Sequence, residues 1–328
     1  MKRLLLFILC SSLFLIAKSQ VITGTVLDKT SNQPIGYVSL YFTGTFIGTT
    51  TDKNGKFELD VTKNKDMPLT ISAIGYYSTN ITDFLSDKPV EIYLEPKVYE
   101  LGEIVVKSKS LANRRKANLL TFREVFLGST ENARNCYITN ENDITFNYNS
   151  DNDTLRAFAS KPLEIDNRSL GYKILYYLNK FMYDRNNRVF IIRGDMIFKE
   201  DLSIGSKNRE AFERRRKNAY LGSRIHFFRT LWQNQLNSSS FIVKSSSDQK
   251  LKYDDIVITS GNKKYLRYFE PLKIGYHSKE TTGRLVFLST LVFFDATGYY
   301  DQTAIQWEGI MAEKRIADGL PYEYSPEP

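Results

Sequence analysis

The chain has 328 residues, 42% of them hydrophobic and 25% charged, with a formal net charge of +8. That length suits about two domains and that composition suits packed cores, which excludes a disordered or fibrous chain. Two histidines stand against 21 tyrosines and 21 phenylalanines, so metal and acid–base chemistry has few residues to draw on.

The first segment reads as a secretory signal peptide. Lys2 and Arg3 form a charged n-region and Leu4 to Ile16 an apolar h-region. Ala17-Lys18-Ser19 sets small residues at −3 and −1, so residues 1–19 are expected to be removed before Gln20. The apolar run is roughly 13 residues, short of the about 20 that a membrane helix needs. A lipobox through Cys10 would want a small residue where Leu9 stands. Past the cut a single cysteine remains, Cys136. It can form no intrachain disulfide, so packing must hold both domains. It reads as a buried small apolar residue, with pairing between chains as the alternative.

Charge divides along the chain. Residues 21–110 hold nine Lys against eleven acids, a net of −2, and residues 111–328 hold 33 basic against 26 acidic residues, a net of +7. Two domains with different surfaces are expected.

Residues 20–97 are written in short β-rich runs broken by turn chemistry. Val21 to Leu27, Tyr37 to Thr43, Gly48 to Thr51, Phe57 to Val61, Leu69 to Ile74 and Val90 to Leu94 are predicted strands. Asp52-Lys53-Asn54-Gly55 predicts a hairpin turn, with Asn-Gly supplying positive φ and Asp52 holding the turn amides. Asp52 and Asn54 can also be read as calcium ligands, but the further carboxylates of an EF-hand loop are missing. Strands at this spacing imply a sandwich or barrel. The motifs Ile22-Thr-Gly24-Thr-Val26-Leu-Asp28, Pro34-Ile35 before Val38-Ser-Leu40, Gly48-Thr-Thr-Thr51-Asp52-Lys-Asn-Gly55-Lys-Phe57 and Ile71-Ser-Ala-Ile74-Gly75-Tyr76 resemble, in order, the carboxypeptidase regulatory-like domain. The resemblance implies a seven-stranded, transthyretin-like β-sandwich without peptidase activity. It further implies a spacer or docking module of the kind often found at the N-terminus of Gram-negative envelope proteins. Gly24 and Gly75 are read as places where a side chain would obstruct the backbone.

Tyr99-Glu-Leu101-Gly-Glu103-Ile104-Val105-Val106 resembles the segment joining such a sandwich to the plug of TonB-dependent transporters. About 220 residues follow. A barrel of roughly 22 strands, each of about ten residues, needs far more chain. Residues 98–112 are therefore expected to be a linker.

Residues 113–328 are expected to form an α+β domain with antiparallel sheet and one long helix packed on it. Asn118 to Leu127 predicts a first helix, stopped by Gly128. Strands are predicted at Cys136–Ile138, Ile144–Tyr148 and Leu155–Ala159. A long hairpin follows, Tyr172–Tyr183 and Arg188–Phe198, turning at Asp184-Arg185-Asn186-Asn187. The long helix is placed at residues 207–237, where Leu221, Ile225, Phe228 and Trp232 share a face. Further strands are expected at Phe241–Lys244, Ile256–Thr259, Leu285–Phe294 and Thr303–Trp307. Stretches such as Lys161-Pro162-Leu163 resemble uncharacterised envelope proteins that also open with this sandwich.

The chemistry is sparse. His277-Ser-Lys-Glu280 matches His-x-x-Glu, but a zinc peptidase needs a second histidine downstream, and His226 lies upstream. Cys136 with either histidine has no supporting motif. No catalytic residue, metal ligand or cofactor is assigned, and peptidase activity is not expected. The one candidate surface is Arg214, Arg215, Arg216 and Lys217, for anionic lipid, lipopolysaccharide phosphate or an acidic partner, against a plain solvated helix end. The expected role is a non-catalytic exported docking or binding module, periplasmic or outer-membrane associated, with an envelope protein or complex as partner. Glycan or peptidoglycan binding is the first alternative and an unrecognised hydrolase the second. Nucleic acid is not expected as a partner, nor a transmembrane helix in the mature chain.

Overall fold

The computed structural model describes residues 20–86, 88–97, 109–149, 153–204, 209–277 and 283–327. The expected signal peptide, most of the expected linker and Glu280 lie outside the described residues. The chain divides into two compact units. One comprises the described residues up to Leu40 and Gly48–Lys97; the other comprises Tyr41–Ile47 and everything described from Lys109 onward.

Seven strands make up the N-terminal sandwich: β1 (Val21–Asp28), β2 (Ser39–Phe42), β3 (Gly48–Thr50), β4 (Lys56–Asp60), β5 (Leu69–Ser72), β6 (Thr79–Ile81) and β7 (Val90–Leu94). They form two sheets, ordered β4-β1-β7 and β3-β2-β5-β6. β1 runs antiparallel to β4 and parallel to β7. Ile22 and Val26 on β1 and Phe57 and Leu59 on β4 are buried while their neighbours are not, the period-two pattern of strands with one face on a core. The Asp52 turn forms as its sequence predicts. Asp52 Oδ1 accepts from Asn54 N at 2.8 Å and Lys56 N at 2.9 Å, and Gly55 has φ +72. That oxygen is already engaged by two amides, which gives Asp52 a turn role. The two motif glycines differ. A Cβ on Gly24 would lie 2.1 Å from Val90 O, whereas Gly75 faces open space but has φ +88.

The first described helix of the second unit is α1 (Lys109–Leu127), which starts within the expected linker. A six-stranded antiparallel sheet follows: β8 (Cys136–Ile138), β9 (Ile144–Asn149), β10 (Thr154–Ala159), β11 (Leu163–Asn167), β12 (Tyr172–Asp184) and β13 (Val189–Glu200). The long β12 organises it. Its first half pairs with β11, its last residues pair with β10, and β13 pairs with it along its whole length. α1 lies on this sheet through Phe122, 4.6 Å from the Phe181 ring, and Phe126, 4.9 Å from the Tyr176 ring.

The long helix expected at residues 207–237 is two helices, α2 (Arg209–Tyr220) and α3 (Arg224–Trp232). The break has a local cause. Gly222 sits at φ +68, and Ser223 caps α3 by accepting from His226 N at 3.2 Å. It also has a tertiary cause, because the two helices serve different cores. Ala219 and Tyr220 belong to the core under the six-stranded sheet, whereas Phe227, Phe228 and Leu231 belong to a second core. That second core lies among β14 (Phe241–Lys244), β15 (Val257–Ser260), β16 (Lys263–Leu266), β17 (Leu272–Tyr276), β18 (Gly283–Phe287), β19 (Val292–Phe294) and β20 (Ile305–Gly309). These strands form two sheets, β14-β17-β18-β20 and β15-β16-β19. The run expected as one strand, Leu285–Phe294, is therefore split: β18 and β19 lie in different sheets, with Leu288 and Leu291 exposed between them. No helix among the described residues is long and apolar enough to cross a membrane.

Candidate functional site

The block Arg214–Lys217 lies on α2, and the helix turns its members apart. Phe212, Arg216 and Tyr220 recur every four residues, so Arg216 falls on the buried face. Its side chain is 5% exposed. Nη1 pairs with Glu200 at 2.7 Å and Glu213 at 2.9 Å, Nε donates to Leu170 O at 2.8 Å, and the guanidinium lies 4.2 Å from the Tyr172 ring centroid. Arg216 is thus a core strut and not part of a surface. Arg215 is half-buried, with Nε donating to Ser169 O and the guanidinium over Phe212. Lys217 is exposed and donates to Glu327 O at 3.2 Å. Arg214 is exposed and makes no hydrogen bond or ion pair among the described residues.

Arg214 and Arg215 line an open groove of about 340 Å³ together with Asn218, Lys314, Glu131 and Asp318. The Asp318 carboxylate is already held by Thr130 Oγ1 at 2.8 Å and Asn132 Nδ2 at 2.9 Å. Lys314 Nζ donates to the carbonyls of Ala219 at 2.9 Å and Leu221 at 2.8 Å, which closes the C-terminus of α2. Burial lowers the Lys314 pKa, and Asp318 opposes that shift.

The neighbouring Arg315 does the same for α1. Its Nη1 donates to Val125 O at 2.7 Å and Glu124 O at 3.2 Å. α1 carries no basic residue in its own last turn, so a distant cation supplies what the orphan carbonyls and the helix dipole favour. This use of basic side chains recurs through the second unit. Arg115 donates to Glu141 O and Ile144 O, Arg224 to Met311 O, and Arg229 to Thr297 O, Tyr322 O and Tyr324 O. Much of the positive excess of residues 111–328 is therefore bound to main-chain carbonyls, which composition cannot reveal.

The residues weighed for catalysis lie elsewhere. His226 is packed by Tyr220, Phe241 and Tyr276, and its Nδ1 accepts from Gly222 N at 3.1 Å. Burial, then Lys314 and Arg229, push its pKa down to about 4. The unfolded chain takes up that proton near the ordinary value of 6.5. The histidine's contribution to stability is therefore complete above that value, declines as pH falls, and is fully lost below about 4. Allowing for the solvent-exposed part of the ring, the expected loss is on the order of 1–2 kcal/mol. Urea unfolding of wild type and His226→Gln between neutral pH and pH 4 measures it: the variant should show the shallower slope. His277 is exposed, at φ +55, beside Tyr276, and Glu280 of the His-x-x-Glu match lies outside the described residues. Cys136 is buried in the core under the six-stranded sheet. Burial first, then Asp318 and Asp166, push its thiol up to about 12, the reverse of what a nucleophile needs. It should stay silent to Ellman's reagent at mildly alkaline pH in the native protein and react once unfolded, with Cys136→Ser confirming the signal.

Residues 22–106 match the family model of the CarboxypepD_reg-like domain. No curated protein matches the chain. Among solved structures the chain is similar to a protein of unknown function from Bacteroides fragilis NCTC 9343, described as a proposed membrane-associated protein. That alignment has 10% sequence identity and a TM-score of 0.19, and covers 88% of this chain and 94% of the other. The N-terminal unit of this chain carries the CarboxypepD_reg-like domain that its strand and turn motifs resemble.

Proposed function

We propose that the protein is a non-catalytic, exported envelope protein, in which the N-terminal sandwich serves as a spacer or docking module and the second unit engages an acidic partner. The observation that carries this reading is the groove beside α2. There Arg214, with no hydrogen bond or ion pair among the described residues, stands next to Arg215, Asn218 and the charge of Lys314. The signal-peptide pattern of residues 1–19 supports an exported location.

A crosslinked pull-down of the tagged protein from its native envelope, run beside Arg214→Glu, tests the proposal. Recovery of one complex by the wild type, with sharply reduced recovery by the charge-reversed variant, supports it. Equal recovery by both overturns the role of the groove. A second reading, glycan binding, has one observation in its favour: the Tyr268 and Phe269 rings lie 4.5 Å apart at a tilt of 32°, with Phe269 86% exposed, an aromatic surface of the kind that sugars pack on. A glycan array run with Phe269→Ala discriminates it from the first.

A further inference from the structure

A second groove, of about 440 Å³, lies between the C-terminal end of α1 and the tip of the β12–β13 hairpin. Its size falls within the range of small-molecule sites. Arg185, Arg188 and Arg315 line it, with Tyr183 and Phe190 as apolar faces and Glu124 as the opposing charge. Tyr183 and Phe190 are cross-strand partners, so the rigid hairpin sets their spacing.

Two of the three arginines are held in place by their surroundings. Arg185 lies over the Tyr148 ring at 5.0 Å, with Nη2 donating to Asn118 Oδ1 at 3.0 Å and Nη1 3.9 Å from Asp153. Thr121 Oγ1 lies 3.5 Å from the same Nη2, and Arg185 also shares a side-chain hydrogen bond with Tyr148. Arg315 stacks on Phe190 at 4.1 Å with Nη1 fixed by the end of α1, and its Nη2 has no partner among the described residues. The third, Arg188, is exposed at the hairpin tip with φ +55 and makes no hydrogen bond or ion pair among the described residues. Stacked guanidiniums with remaining N–H groups and one exposed cation suit an oxyanion, because the planar fork matches phosphate and carboxylate oxygens and two of the three cations are already ordered.

We propose that this groove binds a sugar-sized ligand bearing a phosphate or carboxylate group, held by Arg185, Arg188 and Arg315 with its apolar face against Tyr183 and Phe190. The inference does not depend on the docking role of the α2 groove. Calorimetric titration of the full protein with glucose 6-phosphate, glucuronate and glucose tests it. At least one of the anionic sugars should bind more tightly than neutral glucose. Preference for the phosphate assigns a phosphorylated ligand, preference for the uronate a carboxylate one. Arg188→Glu should weaken the preferred anion by roughly tenfold, and Glu124→Gln should tighten it by about threefold. Tightening cannot arise from a misfolded variant, so the pair separates recognition from damage. Binding of both anions no tighter than glucose, or affinities unmoved by either substitution, overturns the proposal.

Discussion

Arg216→Ala should destabilise the second unit by about 3 kcal/mol, while Arg214→Ala, two residues earlier on the same helix, should change it by less than about 0.5 kcal/mol. Truncating Arg216 removes the partner of Glu200 and Glu213, the donor to Leu170 O and the cation over Tyr172 in one step. The loss falls at the lower end for a broken buried pair, because Glu200 is 50% exposed and rehydrates. Arg214 has none of these contacts. Both tryptophans, Trp232 and Trp307, lie in the second unit, so urea unfolding followed by tryptophan fluorescence reports on that unit. Similar midpoints for the two variants would mean that Arg216 does not brace the core as its geometry indicates.

Gly24→Ala should cost the sandwich more than about 3 kcal/mol, large for the addition of one methyl group. β1 is the middle strand of its sheet, and Gly24 pairs with Phe57 on one side and Val90 on the other. The added Cβ would stand 2.1 Å from the Val90 carbonyl oxygen and 2.8 Å from the Phe57 ring. The ring can tilt, but the carbonyl is part of the β1–β7 ladder and moves only if the strands part. Hydrogen exchange read by mass spectrometry checks this. Protection in β1, β4 and β7 should collapse toward that of exposed chain, and wild-type protection there would refute the steric argument. Gly75→Ala should be milder, since only its φ of +88 is strained and no atom stands in the way.

The sandwich was the more legible half of the molecule. β1, β4 and β7 alternate with period two and the turns carry Asn-Gly and Pro signals, so local chemistry and tertiary structure agree. Only β6, three residues with polar Thr79 and Asn80, carried too little pattern to predict. In the second unit the reading failed where one local pattern serves two environments. The apolar face from Tyr220 to Trp232 was read as one helix with the basic stretch before it, yet Gly222-Ser223 marked the break, and the need to fill two cores makes it real. The basic block was misleading because charge count says nothing of direction. The four-residue recurrence of Phe212, Arg216 and Tyr220 was the signal that Arg216 points inward. The carbonyl-bound arginines left no such trace, because their partners lie up to 191 residues away and follow from topology alone.

Lys314 and Arg315 close the ends of α2 and α1, and that clasp governs the order in which the unit can assemble. α1 is the first described helix of the unit, but its last carbonyls are met by a side chain 190 and 191 residues later. Closing so long a loop is entropically costly and is repaid only when the tail docks. The helix can form early, but its final turn stays frayed and its hold on the sheet incomplete until then. Securing α1 therefore waits on Arg315, and a chain emerging from its N-terminal end would deliver 190 residues beyond Val125 before that helix is closed.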